Sequence, residues 1–533
     1  MIKKLKFQNV VLVLITLCIY LFYLYRNDNL YLLNPPDEYS FKTLIFTTTL
    51  KNFDFSSPLY VLFFKSITLF EENFYKVAKI LNLLCFFIGN LFVYKISIKV
   101  INPNYSKFIF IVSSLSTYNF YSSALMPESL FYMYFFIFVF LYFSIKNFYL
   151  KYIICSANIF FLFLIKGSGI FILPAVLLNE LLNFYKKNGT FKNFIYKIFI
   201  ILLTFIFLFF LSKLFINENS NFIFGSKYGN SFKEINEFSE LIYIIKIFIT
   251  NYNGHIIYNF LIFGLPILFI LKNLFNKNFN FNEIIFLPFL VLIFLSAFSS
   301  LNHAMNVYTH SDISLYRVTT RYYDFIIPLF LISSFFISNS LVQFKKYSDL
   351  IIIFLILLIY ILIFYSQINN FRPTSVIFDG ILFRGYIYND LFFNLFVLLS
   401  LVTFLINFIY PQFSNKFFLI FYFPIILVLS SFPITKEINA YKNPNKFDNL
   451  GKILKDHFKS SGTNPSIVSD GLSGEDYRAL FHLNSVIIKI GALKDINNFI
   501  LKNNNVLLIS NNKEIERNFY KTYLDGRYML INN

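Results

Sequence analysis

The sequence predicts an α-helical polytopic membrane protein. About 13 transmembrane helices are expected over residues 1–432, and a small extracytoplasmic α/β domain over 433–533. Three observations predict this. The 533-residue chain is 57% hydrophobic and only 14% charged, outside the range of soluble globular proteins. Its apolar runs recur at roughly 17–25 residues, the length at which a helix crosses a bilayer. Its lysines fall in short loops between alternate runs while the acids gather in the others, so one orientation satisfies every run.

Taken in order, the expected spans are 9–25, 77–96, 108–124, 127–145, 152–166, 168–185, 194–212, 256–273, 283–300, 324–341, 349–366, 391–410 and 417–432. The first follows Lys3, Lys4 and Lys6, and no small-residue cleavage site follows it, so it reads as a retained helix. Residues 26–75 read as one large external loop. Within it, 37–51 places Phe41, Leu44 and Ile45 at helical spacing, the pattern of a helix lying in the membrane interface. Ser56-Ser57-Pro58-Leu59-Tyr60 then reads as a turn. The pair 152–166 and 168–185 reads as two short spans or as one span with a re-entrant piece, and 238–251 as a surface helix.

Lys95, Lys99 and Lys107, then Lys146 and Lys151, Lys186, Lys187, Lys192 and Lys197, Lys272 and Lys277, Lys345 and Lys346, and Lys416 mark the cytoplasmic loops. The opposite face holds Asp37, Glu38, Asp54, Glu71, Glu72, Glu128, Glu218, Asp312, Asp379 and Asp390. The N-terminus is then cytoplasmic, and an odd number of spans places the C-terminus outside.

From about Ser431 the chain turns polar. Short apolar runs at 466–469, 486–490, 506–510 and 528–531 read as strands, and patterns at 475–482, 495–502 and 513–520 as helices, together an α/β unit. It carries no phosphate-binding glycine motif and no zinc spacing. The net charge of +18 would suggest nucleic acid in a soluble protein. Here the lysines sit in loops between spans, so the expected partner is membrane lipid and no nucleic acid. Cys18, Cys85 and Cys155 all lie in apolar runs, which argues against a disulfide framework.

Asn34-Pro35-Pro36-Asp37-Glu38 is the stretch expected to carry chemistry. Two adjacent carboxylates beside a membrane are costly unless they face water, a metal or a polar cavity. Asp37 and Glu38 are therefore the expected reaction centre, with a solvated loop as the ordinary alternative. Glu128 opens the fourth span on the same face, where it caps a helix or joins the two acids. Together such carboxylates suit a divalent cation, Mg or Mn, with Glu128 and Glu38 as ligands, and one acid remains as general base. Lys166, Arg317 and Arg321 also reach the outer face, where they snorkel to headgroups or hold a lipid-linked phosphate. His255, His303, His310, His457 and His482 show no metal-ligand spacing and read as surface or loop histidines.

These residues resemble the GT-C superfamily of polytopic glycosyltransferases, which includes protein O-mannosyltransferases and bacterial aminoarabinose transferases. Asp37-Glu38 stands where those families carry an acidic pair in a first external loop. Ser57-Pro58-Leu59-Tyr60 is similar to their His-Pro-Pro-Leu-Tyr element, Ile165-Lys166-Gly167 to a Thr-Lys-Gly turn, and Arg321-Tyr322 with Pro328 to an Arg-Tyr before a proline-containing span. Ser56-Ser57 replaces the His and first Pro, which leaves subfamily and acceptor open. The resemblance implies a polyprenyl-phosphate-linked sugar as donor and a lipid, glycan or protein as acceptor. It implies transfer on the outer face of a bacterial inner (plasma) membrane. Asp37 or Glu38 would act as base, Asp37 being favoured, and Lys166, Arg321 and Tyr322 would lie at the donor phosphate. Direct displacement would invert the anomeric centre. The alternatives are a transporter or flippase of polyprenyl-linked glycans, and a glycan polymerase using Arg372 and Arg384 in a later loop.

Overall fold

The structure is a computed structural model that describes residues 2–47, 57–187, 190–215, 237–275, 283–309, 317–339, 395, 398–400, 402–403, 406, 417–461, 465–483, 487–489, 505–510, 521–524 and 526–531. Expected spans 349–366 and most of 391–410 lie outside the described residues. So do Asp54, Ser56, Glu218, Lys277, His310, Asp312, Lys345, Lys346, Arg372, Asp379, Arg384, Asp390, Lys416 and the helical patterns 495–502 and 513–520.

Local signals set many of the helix ends. Helix α1 covers Ile2–Asn27, α2 Pro35–Thr47 and α3 Pro58–Lys65. Both α2 and α3 open on prolines, whose missing N–H costs nothing in a first turn. Helix α4 (Phe74–Val100) is followed by α5 (Pro103–Ser114), where the Asn102 side chain accepts from the Asn104 amide at 3.0 Å. Helix α6 covers Glu128–Ser144, and Asn147 caps α7 (Phe148–Ile165) by accepting from the Leu150 amide at 3.0 Å. A 3₁₀ turn at Gly167–Phe171 leads into α8 (Ile172–Lys187). Helices α9 (Phe191–Phe215), α10 (Phe238–Phe275), α11 (Glu283–Thr309) and α12 (Ile327–Asn339) follow. Helix α13 (Phe423–Ala440) comes after a π turn.

Seven helical segments among the described residues are long and apolar enough to cross a membrane, and the chain is an integral membrane protein. They are α1, α4, α7, α8 with its preceding turn, α9, α11 and α13. Only 11% of the α1 window and 17% of the α9 window is buried, against 61% for α11, so α1 and α9 stand at the rim of the bundle. At the crossing of α4 and α6, a Cβ on Gly89 would come within 2.3 Å of the Tyr132 ring. Glycine is what lets these two helices meet.

Three expectations are corrected and one open pair is decided. Residues 108–124 do not form one span: α5 ends at Ser114 and a 3₁₀ turn covers Thr117–Ser123. The chain uncoils there to surround the buried Arg26 guanidinium, which donates to Asn119 Oδ1 at 2.5 Å and Ser123 Oγ at 3.1 Å. The stretch 238–251 is the first part of the 38-residue α10, not a separate surface helix. The pair 152–166 and 168–185 follows the two-span reading, as two separate helical segments each long and apolar enough to cross a membrane. The helix expected to lie in the membrane interface, α2, packs into protein instead. Phe41 and Ile45 join the core of the bundle, and Tyr39 joins Leu450, Leu454 and Leu480 of the C-terminal region.

Helix α13 runs through Pro433, past the expected boundary at 433, and ends at Ala440. Helix α14 (Lys446–Ser461) follows, then β1 (Ser466–Ser469), α15 (Asp476–Phe481), β2 (Ile487–Lys489), β3 (Val506–Ile509), β4 (Lys521–Tyr523) and β5 (Tyr528–Ile531). The five strands form one sheet in the order β2-β1-β3-β5-β4. The pairs β2–β1 and β1–β3 are parallel, and β3–β5 and β5–β4 antiparallel. Helix α14 and strand β4 were not expected. The signal for α14 is the spacing of Leu450, Leu454 and Phe458, all buried on one face.

Candidate active site

The site begins where α1 ends. Asn34 and the two prolines lead into the first turn of α2, where an acid complements the helix dipole. Asp37 points to the surface and its side chain is 44% exposed. Its Oδ2 accepts from Asn34 Nδ2 at 2.8 Å and from Arg321 Nη1 at 3.3 Å.

Glu38 points the other way and is fully buried. Its Oε1 accepts from the amides of Leu33 and Asn34, both at 2.8 Å. Its Oε2 accepts from Tyr75 Oη at 2.5 Å and from the Leu125 amide at 2.9 Å. Burial pushes this carboxyl above its ordinary range, and the donors oppose that shift. The geometry corrects the expected role of Glu38 as base or metal ligand. Four donors occupy its two oxygens, and it ties the loop before α2 to α4 and to the segment before α6.

A second acid enters from α6. Glu128 opens that helix, its side chain is 2% exposed, and its Oε1 accepts from Lys166 Nζ at 2.9 Å. Lys166 stands at the break between α7 and the 3₁₀ turn. That turn fits because residue 169 is glycine: a Cβ there would lie 2.5 Å from the Leu162 carbonyl carbon. The Lys166 ammonium also lies 4.5 Å from the Tyr322 ring centroid, and the Arg321 guanidinium 5.4 Å from it. Asn302 Nδ2 donates to Tyr322 Oη at 2.9 Å. The chain of contacts is therefore continuous from Asp37 through Arg321, Tyr322 and Lys166 to Glu128. It joins four segments that are far apart in sequence.

The structure thus brings together Asp37, Glu128, Lys166, Arg321 and Tyr322. Tyr75, Leu125 and Asn302 were not anticipated. Tyr75 carried a weak signal, a tyrosine opening a span directly after the first loop; a backbone amide such as that of Leu125 carries none. Among the described residues no three His, Cys, Asp or Glu side chains are placed to hold a metal ion. Glu38 is saturated by donors and Glu128 Oε1 is held by Lys166, so the expected Glu38–Glu128 ligand pair does not fit a divalent cation. Two histidines depart from the surface reading: His255 and His303 are buried in α10 and α11, and His255 Nδ1 lies 2.7 Å from Tyr323 Oη.

The C-terminal region closes over α2. Lys42 Nζ donates to the Phe481 carbonyl, the Tyr39 and Tyr477 rings lie 5.4 Å apart, and the Phe481 ring lies 5.1 Å from that of Tyr75. The sheet domain therefore sits at the same end of the bundle as Asp37.

No family model and no curated protein matches the sequence. The fold is similar to ArnT from Cupriavidus metallidurans bound to undecaprenyl phosphate, with a TM-score of 0.55 over 98% of this chain and 97% of that one at 12% identity. The apo state of the same protein gives a TM-score of 0.57 over 99% and 98% at 11% identity. The likeness therefore covers both the bundle and the C-terminal region, and it is a likeness of fold.

Proposed function

We propose that the protein is a membrane glycosyltransferase that moves a sugar from a polyprenyl-phosphate donor to an acceptor hydroxyl on the extracytoplasmic face. The carrying observation is the exposed Asp37 carboxylate beside two cations, Arg321 and Lys166, on a fold shared end to end with ArnT bound to undecaprenyl phosphate. The donor phosphate binds between Arg321 and Lys166, as a charged oxygen group does between a guanidinium and an ammonium. Its arrival draws Arg321 away from Asp37 and frees that carboxylate. Asp37 then takes the proton of the acceptor hydroxyl, whose oxygen attacks the anomeric carbon. The bond from that carbon to the phosphate oxygen breaks, and the polyprenyl phosphate leaves with its charge held by the two cations. One displacement inverts the anomeric centre. Glu128 positions Lys166. Its Oε2 is buried and makes no hydrogen bond among the described residues, so it offers an acceptor to a sugar hydroxyl.

The test uses membranes containing the chain and a panel of polyprenyl-phosphate sugars. Wild type is expected to release polyprenyl phosphate and pass the sugar on. Asp37→Asn should lose about 10²–10⁴-fold in rate, the usual share of a general base, while inserting normally. A full rate in that variant removes Asp37 as base. Movement of the donor between leaflets with no release of polyprenyl phosphate overturns the reading in favour of a flippase.

A further inference from the structure

A cavity of about 260 Å³ opens between the end of α1 and the start of α4. Its polar lining is Asn27, Asp28, Lys76 and Lys79. Its apolar lining is Leu24, Tyr25 and Ile80, all exposed to the membrane side, and exposed Leu21 and Leu84 continue that strip along the two helices. Lys79 is 4% exposed and its ammonium makes one hydrogen bond, to the Leu30 carbonyl at 3.1 Å. An ammonium has three donors, so two are left directed at no protein acceptor. The single carboxylate of the cavity, Asp28, pairs with Lys76 at 3.0 Å. Lys442 leans over the mouth, 4.8 Å from the Tyr25 ring centroid. The cavity therefore has an excess of positive charge, an unfilled buried donor and a rim facing lipid chains. Asp28 and Glu38 act on the Lys79 ammonium at a distance, but neither accepts a hydrogen bond from it, and a buried ammonium with unfilled donors is costly.

We propose that this cavity binds the phosphate of an anionic bilayer phospholipid. The phosphate accepts from Lys79 and Lys76 while the acyl chains lie along Leu21, Ile80 and Leu84. The lining shares no residue with the proposed donor site, and on its inner side Lys79 lies over the Tyr75 ring at 4.4 Å while the Tyr75 hydroxyl donates to Glu38. The volume admits a phosphoryl group with several waters, each occupying about 30 Å³. A phospholipid rather than a soluble anion is indicated by the position at the end of two membrane helices and by the lipid-facing rim.

The experiment is native mass spectrometry and lipid titration on the full chain after delipidation. Phosphatidylglycerol, phosphatidylcholine, undecaprenyl phosphate and inorganic phosphate serve as separate probes. Wild type is expected to hold one phosphatidylglycerol in preference to phosphatidylcholine. Lys79→Gln and, separately, the exposed Lys76→Ala should each weaken it by about tenfold, the size of one charge-assisted hydrogen bond. Lys76→Ala keeps the test informative if Lys79→Gln does not fold. Equal retention of the two phospholipids overturns the proposal, as does unchanged binding in a correctly folded Lys76→Ala. Inorganic phosphate binding as well as the lipid would assign the site to a soluble anion, and displacement of phosphatidylglycerol by undecaprenyl phosphate would assign it to the donor. Either result overturns the proposal.

Discussion

Asp37 and Glu38 are neighbours in sequence with opposite surroundings. One faces the surface beside Arg321, and the other is enclosed by four donors. A buried carboxylate that satisfies that many donors is held by structure, so Glu38 should matter first to stability. Glu38→Ala leaves three backbone amides and the Tyr75 hydroxyl without an acceptor. It should cost about 3 kcal/mol or more, read as a fall in melting temperature, and Glu38→Gln should cost less. An unchanged melting temperature in Glu38→Ala would exclude the clamp.

Lys42 offers a second test at this scale. Burial, with Lys455 nearby, pushes its ammonium down to about 7. The unfolded chain then takes up a proton on this lysine at higher pH than the folded one. The folded state is therefore favoured above the ordinary lysine range and loses that advantage as pH falls towards about 7. Each pH unit in that window is worth about 1.4 kcal/mol. The melting temperature of wild type should rise from pH 7 to pH 10, and that of Lys42→Met should rise less. Parallel profiles would contradict the burial of an ammonium here.

At the scale of elements, α2 decides where Asp37 stands, and two bodies hold α2. Phe41 and Ile45 anchor it to the bundle, and Tyr39 and Lys42 anchor it to α15 and its surroundings. The sheet domain thus helps to position the site without lining it. Phe481→Ala should cost about 3–5 kcal/mol of packing, which loosens the ring contact to Tyr75 and the hold on Lys42. The expected result is reduced transfer with normal membrane insertion and normal extraction of the bundle. Undiminished transfer would show that docking of the domain does not set the position of Asp37.

For the whole molecule the decisive quantity is orientation. The contacts place the C-terminal sheet at the Asp37 end of the bundle, so the two share one side of the membrane. The lysine-rich loops predict that this side is the exterior. Cys85 and Cys155 are buried and Cys18 faces the membrane, which leaves a quiet background for thiol labelling. A membrane-impermeant thiol reagent added outside should label Lys459→Cys in α14 and spare Lys146→Cys in the loop between α6 and α7. The reverse pattern would invert the molecule and move the site to the cytoplasm.

The sequence by itself determined the membrane class, and it predicted a run of spans, a face that carries the acids and a polar α/β tail. Each follows from local composition, because a bilayer imposes length and apolarity on every crossing segment separately. It also singled out Asp37, Glu38, Glu128, Lys166, Arg321 and Tyr322. Acids and cations at the ends of apolar runs are costly there, and so they stand out. Only the tertiary structure decided what each of them touches. Nothing in Asp37-Glu38 says that one side chain turns outward and the other inward, because that depends on Tyr75, the Leu125 amide and the packing of α2 between two bodies. The same holds for the break after Ser114, made for a guanidinium some ninety residues earlier in the chain. Hydrogen bonds between distant segments leave no periodicity, so they become readable only once the segments are brought together.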